Sequence, residues 1–287
     1  MKKIISFVLS AAMLFGMTTA FALDEGEARA VIGADITQTQ KASVYKSFGI
    51  EEGSVKELTV TNDEERQYLD GVVDKSVIGT HAISCIYIKI LAEGKGLDVS
   101  TSNISWCTKE MYRNALSTAG IDDAEVIVTS PIQGISGTAA LTGVYKAYED
   151  ITGTKLDTTA KQAGTQELVT TAELADEIGS TDAVTIVNEL KEILGETKKM
   201  SDEELRTEIQ KLADENNISL SDEEVNSLVS LTRQLEKLDT DQLKAKVEEF
   251  QSTAKKLAGA KDKISKFAAS FGDFMQSVGS FLSGLFK

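Results

Sequence analysis

Histidine and cysteine are scarce in this sequence, with one His and two Cys in 287 residues. That scarcity argues against a zinc site built only from such ligands. It excludes an iron–sulfur centre held by four cysteines of this chain. Basic residues are also outnumbered, 30 Lys and Arg against 45 Asp and Glu, for a formal net charge of −15. A nucleic-acid binder needs a basic footprint, so no nucleic-acid partner is expected. The sequence holds no Gly-x-Gly-x-x-Gly element, no spaced oxygen ligands of an EF-hand and no Gly-x-Ser-x-Gly elbow. No cofactor and no resident metal is therefore expected. Hydrophobic residues reach 41%, which is enough for a packed core and too many for a solvated tail.

The N-terminus reads as a secretory leader over residues 1–22. Lys2 and Lys3 supply its positive end, Ile4 to Met17 is almost wholly apolar, and Ala20-Phe21-Ala22 gives a small-x-small cleavage pattern. The apolar stretch is shorter than the ~20 residues that a spanning helix needs. Cleavage after Ala22 removes two lysines and leaves 28 basic and 45 acidic residues, a net charge of −17. The mature chain is expected outside the cell or associated with its envelope. In that setting Cys85 and Cys107 can oxidise. A hairpin folding at Gly94-Lys95-Gly96 would bring them near enough for a disulfide, and two buried free thiols are the other outcome.

From residue 24 to 155 strand and helix signals alternate. Ala30-Val31-Ile32, Leu58 to Thr61, Ser84 to Leu91, Leu97 to Ile104 and Val126-Ile127-Val128 are β-rich. Helices are expected over Thr37 to Phe48, after an Asn62 cap with Glu65 three residues on, over Thr108 to Ala119, and from Ser136 to about Asp150. The expected fold is α/β, a mixed-sheet N-terminal domain followed by a predominantly helical C-terminal region. That region, 158–250, reads as a helical bundle or arm. Helices are expected over Glu167 to Ile178 and Ala183 to Leu194. Ser201 with Glu204 and Ser221 with Glu224 match reciprocal capping boxes. Leu205, Ile209 and Leu212 form one apolar stripe, and Val225, Leu228, Leu231 and Leu235 form another.

Residues 260–287 read as a separate amphipathic segment. Phe267, Phe271, Phe274, Phe281 and Phe286 recur at helical spacing among small residues. The stripe can pack on this chain, on a second copy, on another protein or on a membrane surface.

Several stretches together carry a family resemblance. They are Val31-Ile32-Gly33-Ala34-Asp35, Glu57-Leu58-Thr59-Val60-Thr61-Asn62, Gly120 with the Val126 strand, and Ser136-Gly137-Thr138-Ala139-Ala140-Leu141-Thr142-Gly143 followed by Lys146-Ala147-Tyr148-Glu149. Over roughly Asp24 to Leu238 the chain resembles the DUF1002 family, a group of exported proteins from Gram-positive bacteria. The resemblance implies export and carries no activity with it.

The turn from Pro131 to Thr138 is the foremost local site. Amides at a helix start, with the hydroxyls of Ser136 and Thr138 beside Gly137, can hold an anion; the plainer reading is that Ser136 caps the helix and Gly137 permits close approach. For Ser136 to act as a nucleophile, His81 is the one imidazole base, oriented by Asp35, Asp63 or Asp74. Trp106, Tyr87 and Tyr112 can line a groove or fill a core. The composition and the leader favour a non-enzymatic interaction protein of the envelope or exterior, with another exported protein or an envelope component as partner. An extracellular hydrolase with an unusual site near Ser136 is the alternative.

Overall fold

A computed structural model describes residues 25–69 and 78–259. The leader, Asp74 and the 260–287 segment with its five phenylalanines lie outside the described residues. Strand β1 (Ala28–Gly33) is buried along nearly its whole length, as a central strand of a sheet covered on both faces must be. It runs parallel to β2 (Lys56–Val60), with Val31 opposite Leu58. A parallel pair needs a crossover. That crossover is α1 (Gln38–Phe48), opened by a reciprocal Thr37–Gln40 capping box and stopped by Gly49 in the left-handed conformation. Val44, Tyr45 and Phe48 of α1 cover Ala30, Ile32, Cys85 and Tyr87 on one face of the sheet.

Past β2, α2 (Asn62–Leu69) leads towards β3 (Cys85–Ile90). β4 (Leu97–Ser102), α3 (Lys109–Thr118) and β5 (Ala124–Thr129) form a second parallel crossover. The sheet order is β2-β1-β3-β5-β4, with β3 antiparallel to both β1 and β5. The expected β3–β4 hairpin is therefore not formed, because β5 lies between the two strands. The sequence of each strand accounts for this. β3 reads Cys-Ile-Tyr-Ile-Lys-Ile and needs a partner on each edge, and β5 carries Val126 and Val128 fully buried. β4 alternates Leu97 and Val99 with Asp98 and Ser100, which suits an edge. Asp123 fixes the connection: its backbone oxygen accepts from Leu91 N at 3.0 Å and its Oδ1 accepts from Gly96 N at 2.7 Å.

The separation of β3 from β4 also decides the cysteines. Cys85 faces the α1 side of the sheet and Cys107 faces the opposite core, and both are free, buried thiols. The second core holds α3 and α4 (Thr138–Thr152) through Met111, Tyr112, Leu116, Val144 and Tyr145.

The helical region opens with α5 (Thr158–Ile178), which starts nine residues before the expected Glu167 because Asp157 caps it onto Ala160 N at 2.9 Å. α5 serves two cores, with Leu168 and Ala172 packed against the sheet-side cluster and Ala163 and Leu174 in the helical one. Gly164 lets α5 approach α3, since a Cβ there would stand 2.5 Å from the Ala115 carbonyl oxygen. α6 (Ser180–Glu192), the single turn α7 (Leu194–Thr197), α8 (Asp202–Glu215) and α9 (Asp222–Leu235) follow. Both expected capping boxes form, Ser201 with Glu204 and Ser221 with Glu224, and the two expected leucine-rich stripes are buried together. α10 (Thr240–Gly259) lays Leu243 and Val247 inward, and its Lys246 reaches back to Asp122 at 2.8 Å. Among the described residues no helix is long and apolar enough to cross a membrane.

Candidate functional site

The turn Ser136-Gly137-Thr138 stands where β5 hands the chain to α4. The helix begins at Thr138, not at Ser136 as expected. Gly137 occupies the position before it at φ +99°, and no side chain caps the helix. Only glycine fits there. A Cβ would lie 2.3 Å from the Tyr112 hydroxyl and 2.7 Å from Ile104 Cγ2. Tyr112 instead donates its hydroxyl to the Gly137 carbonyl at 2.6 Å. The loop after β4 braces the same turn, with Ser105 N donating to Ile135 O at 2.9 Å and Cys107 N to Ser136 O at 3.1 Å.

Thr138 does not point to solvent. Its Oγ1 donates to Glu65 Oε1 at 2.6 Å, and both residues are buried, Glu65 to 1% exposure. The expected capping box of Asn62 with Glu65 is displaced by one residue. Thr61 and Glu64 make it, with Thr61 N on Glu64 Oε2 at 2.9 Å and Glu64 N on Thr61 Oγ1 at 3.2 Å. Thr61-x-x-Glu64 is the stricter form of that box, and it stands in the sequence as a rival to Asn62-x-x-Glu65. The one-residue shift turns Glu65 onto the buried face of α2, four residues before the equally buried Leu69. Glu64 lies outside and pairs with Lys146 of α4 at 2.5 Å.

The surroundings of Glu65 set its proton affinity. Burial pushes its carboxyl up to about 7, against the opposing donors Thr138 and Asn62 and the charge of Arg66. Beside the turn, burial pushes the Cys107 thiol up to about 12 and the Tyr112 hydroxyl well above its ordinary value. Ser136 is half-buried, and its Oγ lies 3.3 Å from Thr138 Oγ1. The arrangement thus links a half-exposed hydroxyl, a buried hydroxyl and a buried carboxyl that exchanges its proton near neutrality.

His81 is mostly exposed, with Nδ1 3.8 Å from Asp35 Oδ1, while Asp35 Oδ2 accepts from Ala82 N at 2.7 Å. Of the aspartates considered for it, Asp35 lies beside it and Asp63 is exposed on α2, while Asp74 is outside the described residues. No hydrogen bond among the described residues joins His81 to Ser136. Tyr87 and Tyr112 belong to the cores, and Trp106 donates its indole N–H to Asp176 at 2.8 Å. Between α5 and α9 an open cleft of about 560 Å³ is lined by Glu173, Asp176, Glu177, Glu223 and Glu224. No group of three or more His, Cys, Asp or Glu among the described residues is placed to hold a metal ion.

Comparison with known proteins places these features in a family. A family model described as a protein of unknown function, DUF1002, matches residues 32–256, a span that contains the end of β1, strands β2 to β5, the Ser136 turn, Glu65 and most of the helical region. The chain is 37% identical over 293 aligned residues to the uncharacterized protein YpuA of Bacillus subtilis (strain 168), covering 100% of this chain and 98% of that relative. No solved structure matches the chain. The chain belongs to the DUF1002 family.

Proposed function

We propose that this chain is an exported, envelope-associated or extracellular interaction protein, and that its chemistry-bearing residues serve binding and architecture rather than turnover. The observation that carries the reading is the commitment of the Ser136 turn to its own scaffold. Thr138 binds Glu65, Gly137 binds Tyr112, and the backbone of Ser136 binds Cys107. A hydrolase at Ser136 would call for a base at its hydroxyl, and the hydroxyl's bonded neighbour is Thr138 while the imidazole stands with Asp35. The leader-like residues 1–22 support export, and the aromatic stripe of 260–287 supports docking to another exported protein, an envelope component, a second copy or the membrane periphery.

Fractionation of cells making the full chain, with the mass of the recovered protein, tests the reading. The expected result is a chain beginning at Leu23 in the medium or the envelope. Deleting residues 260–287 should then lower envelope recovery or self-association while the fold is kept. A chain that stays in the cytoplasm with residues 1–22 attached would overturn the proposal, as would reproducible ester or amide hydrolysis lost in Ser136→Ala.

A further inference from the structure

The geometry around Glu65 constrains where its proton can sit. Asn62 Oδ1 accepts from Arg66 Nε at 2.9 Å, which fixes the amide so that its Nδ2 faces Glu65 Oε2 at 3.2 Å. Oε2 therefore meets a donor and cannot itself donate there. Oε1 meets the Thr138 hydroxyl at 2.6 Å, which can rotate to be donor or acceptor. A proton on Glu65 accordingly lies on Oε1 and points at Thr138. Thr138 then turns its own hydrogen to Ser136, whose Oγ is 3.3 Å away. With Glu65 ionised the order runs the other way: Ser136 donates to Thr138 and Thr138 donates to the carboxylate.

We propose that Ser136, Thr138 and Glu65 form a proton-controlled relay that reverses its hydrogen-bond direction with the charge of Glu65. In the ionised state the half-exposed Ser136 spends its hydrogen inward and offers lone pairs outward. In the protonated state Ser136 accepts from Thr138 and its O–H is free to donate outward. The buried proton is thereby read at the surface of the Ser136 turn as a change of hydrogen-bond polarity.

The groups that hydrogen-bond Glu65 are the neutral donors Thr138 and Asn62, and the nearby Arg66 charge acts on it against the larger effect of burial. Within α2, Glu64 is held by Lys146, and Arg66 binds Asn62 and the Gly79 carbonyl. From α4, Lys146 is bound to Glu64 and to Thr59 O. From α5, Lys161 is held by Glu149 and lies against Tyr68. From the α3 side, Cys107 and Tyr112 are neutral buried groups. A buried carboxylate with only neutral hydrogen-bond donors is costly to ionise, which places its titration where a modest change of external pH acts.

The test is a titration of the full chain with ¹³C-labelled glutamate side chains, the Glu65 signal being assigned by its loss in Glu65→Gln. The expected midpoint lies near neutrality. Thr138→Val removes the donor to the ionised form and should raise the midpoint by about one pH unit or more. Thr138→Ser should restore it. Ser136→Ala should raise it by a smaller step, because Thr138 loses the hydroxyl that orients it. If Thr138→Val does not fold, the Ser136→Ala and Thr138→Ser pair decides the matter. A midpoint in the ordinary carboxyl range overturns the relay, and so does a folded Ser136→Ala variant whose Glu65 titrates as in the parent chain.

Discussion

Glu167 of α5 and Lys191 of α6 meet at 2.5 Å, where their side chains are 1% and 3% exposed. The Thr118 hydroxyl of α3 donates to the other carboxylate oxygen of Glu167 at 2.5 Å. Burial pulls the Lys191 ammonium below its ordinary pKa, and the charge of Glu167 opposes that pull. Nearby, Asn114 of α3 donates to Asn188 of α6 at 2.8 Å. The sheet-side layer and the helical region are thus joined through polar groups that need each other.

Breaking that pair should be far costlier than replacing it. Lys191→Met leaves an uncompensated buried carboxylate and should cost about 3–5 kcal/mol in urea unfolding. Lys191→Met combined with Glu167→Gln should recover most of the loss, since no charge is then stranded. Equal losses in the single and double variants would contradict a paired burial.

The Gly137 turn should show a specific coupling. Gly137→Ala sets a methyl against the Tyr112 hydroxyl and strains a left-handed backbone, a change expected to destabilise by about 2 kcal/mol or more. Tyr112→Phe removes the hydroxyl that donates to the Gly137 carbonyl and should cost about 1–3 kcal/mol. The double variant should cost less than the sum, because the phenylalanine ring lacks the oxygen that the new methyl would meet. Strict additivity in a double-mutant cycle would argue against the contact.

Three serines that look alike in sequence should behave differently. Ser201→Ala and Ser221→Ala each remove a formed capping box and should cost about 1 kcal/mol. Ser136→Ala removes no cap and should change stability by less than about 0.5 kcal/mol. Thermal unfolding of the three variants side by side checks the contrast.

The thiols offer a chemical test. Burial raises Cys85 to about 11 and Cys107 to about 12, so neither forms appreciable thiolate near neutrality. Both should resist a disulfide reagent in the native chain and react fully in denaturant. A denatured chain with no titratable thiol would show instead that the two had been bonded.

How much of this is legible in the sequence depends on how local each cause is. Ser201-x-x-Glu204 and Ser221-x-x-Glu224 act within one helical turn, and both boxes form. The strands and most helices are legible for the same reason. The pairing of β4 is not, because the Gly94-Lys95-Gly96 turn signals a reversal without saying which strand lies alongside. That is decided by the backbone and side chain of Asp123 and by the demand of β3 for two partners. At the site, Ser136, Gly137 and Thr138 stand out, whereas Glu65 reads locally as the partner of a helix cap. Its role follows from a shift of one residue between two overlapping box patterns, and from a partner 73 positions away that no local rule could supply.

The most direct test of the buried Glu65 joint is the unfolding free energy of the parent chain and of Glu65→Gln as a function of pH. The folded carboxyl sits at about 7 against an ordinary value of 4.5, so the folded state binds the proton more tightly than the unfolded chain does. The stability this contributes is fully present below the unfolded value and is lost as pH rises through the folded one. Glu64, Glu149 and Asp150 are shifted the other way by their cationic partners, and they are common to both proteins, so they cancel in the difference. The parent is expected to lose about 3 kcal/mol relative to Glu65→Gln between about pH 4.5 and about pH 8. A difference between the two proteins that stays constant across that range would show that Glu65 is not buried among neutral donors.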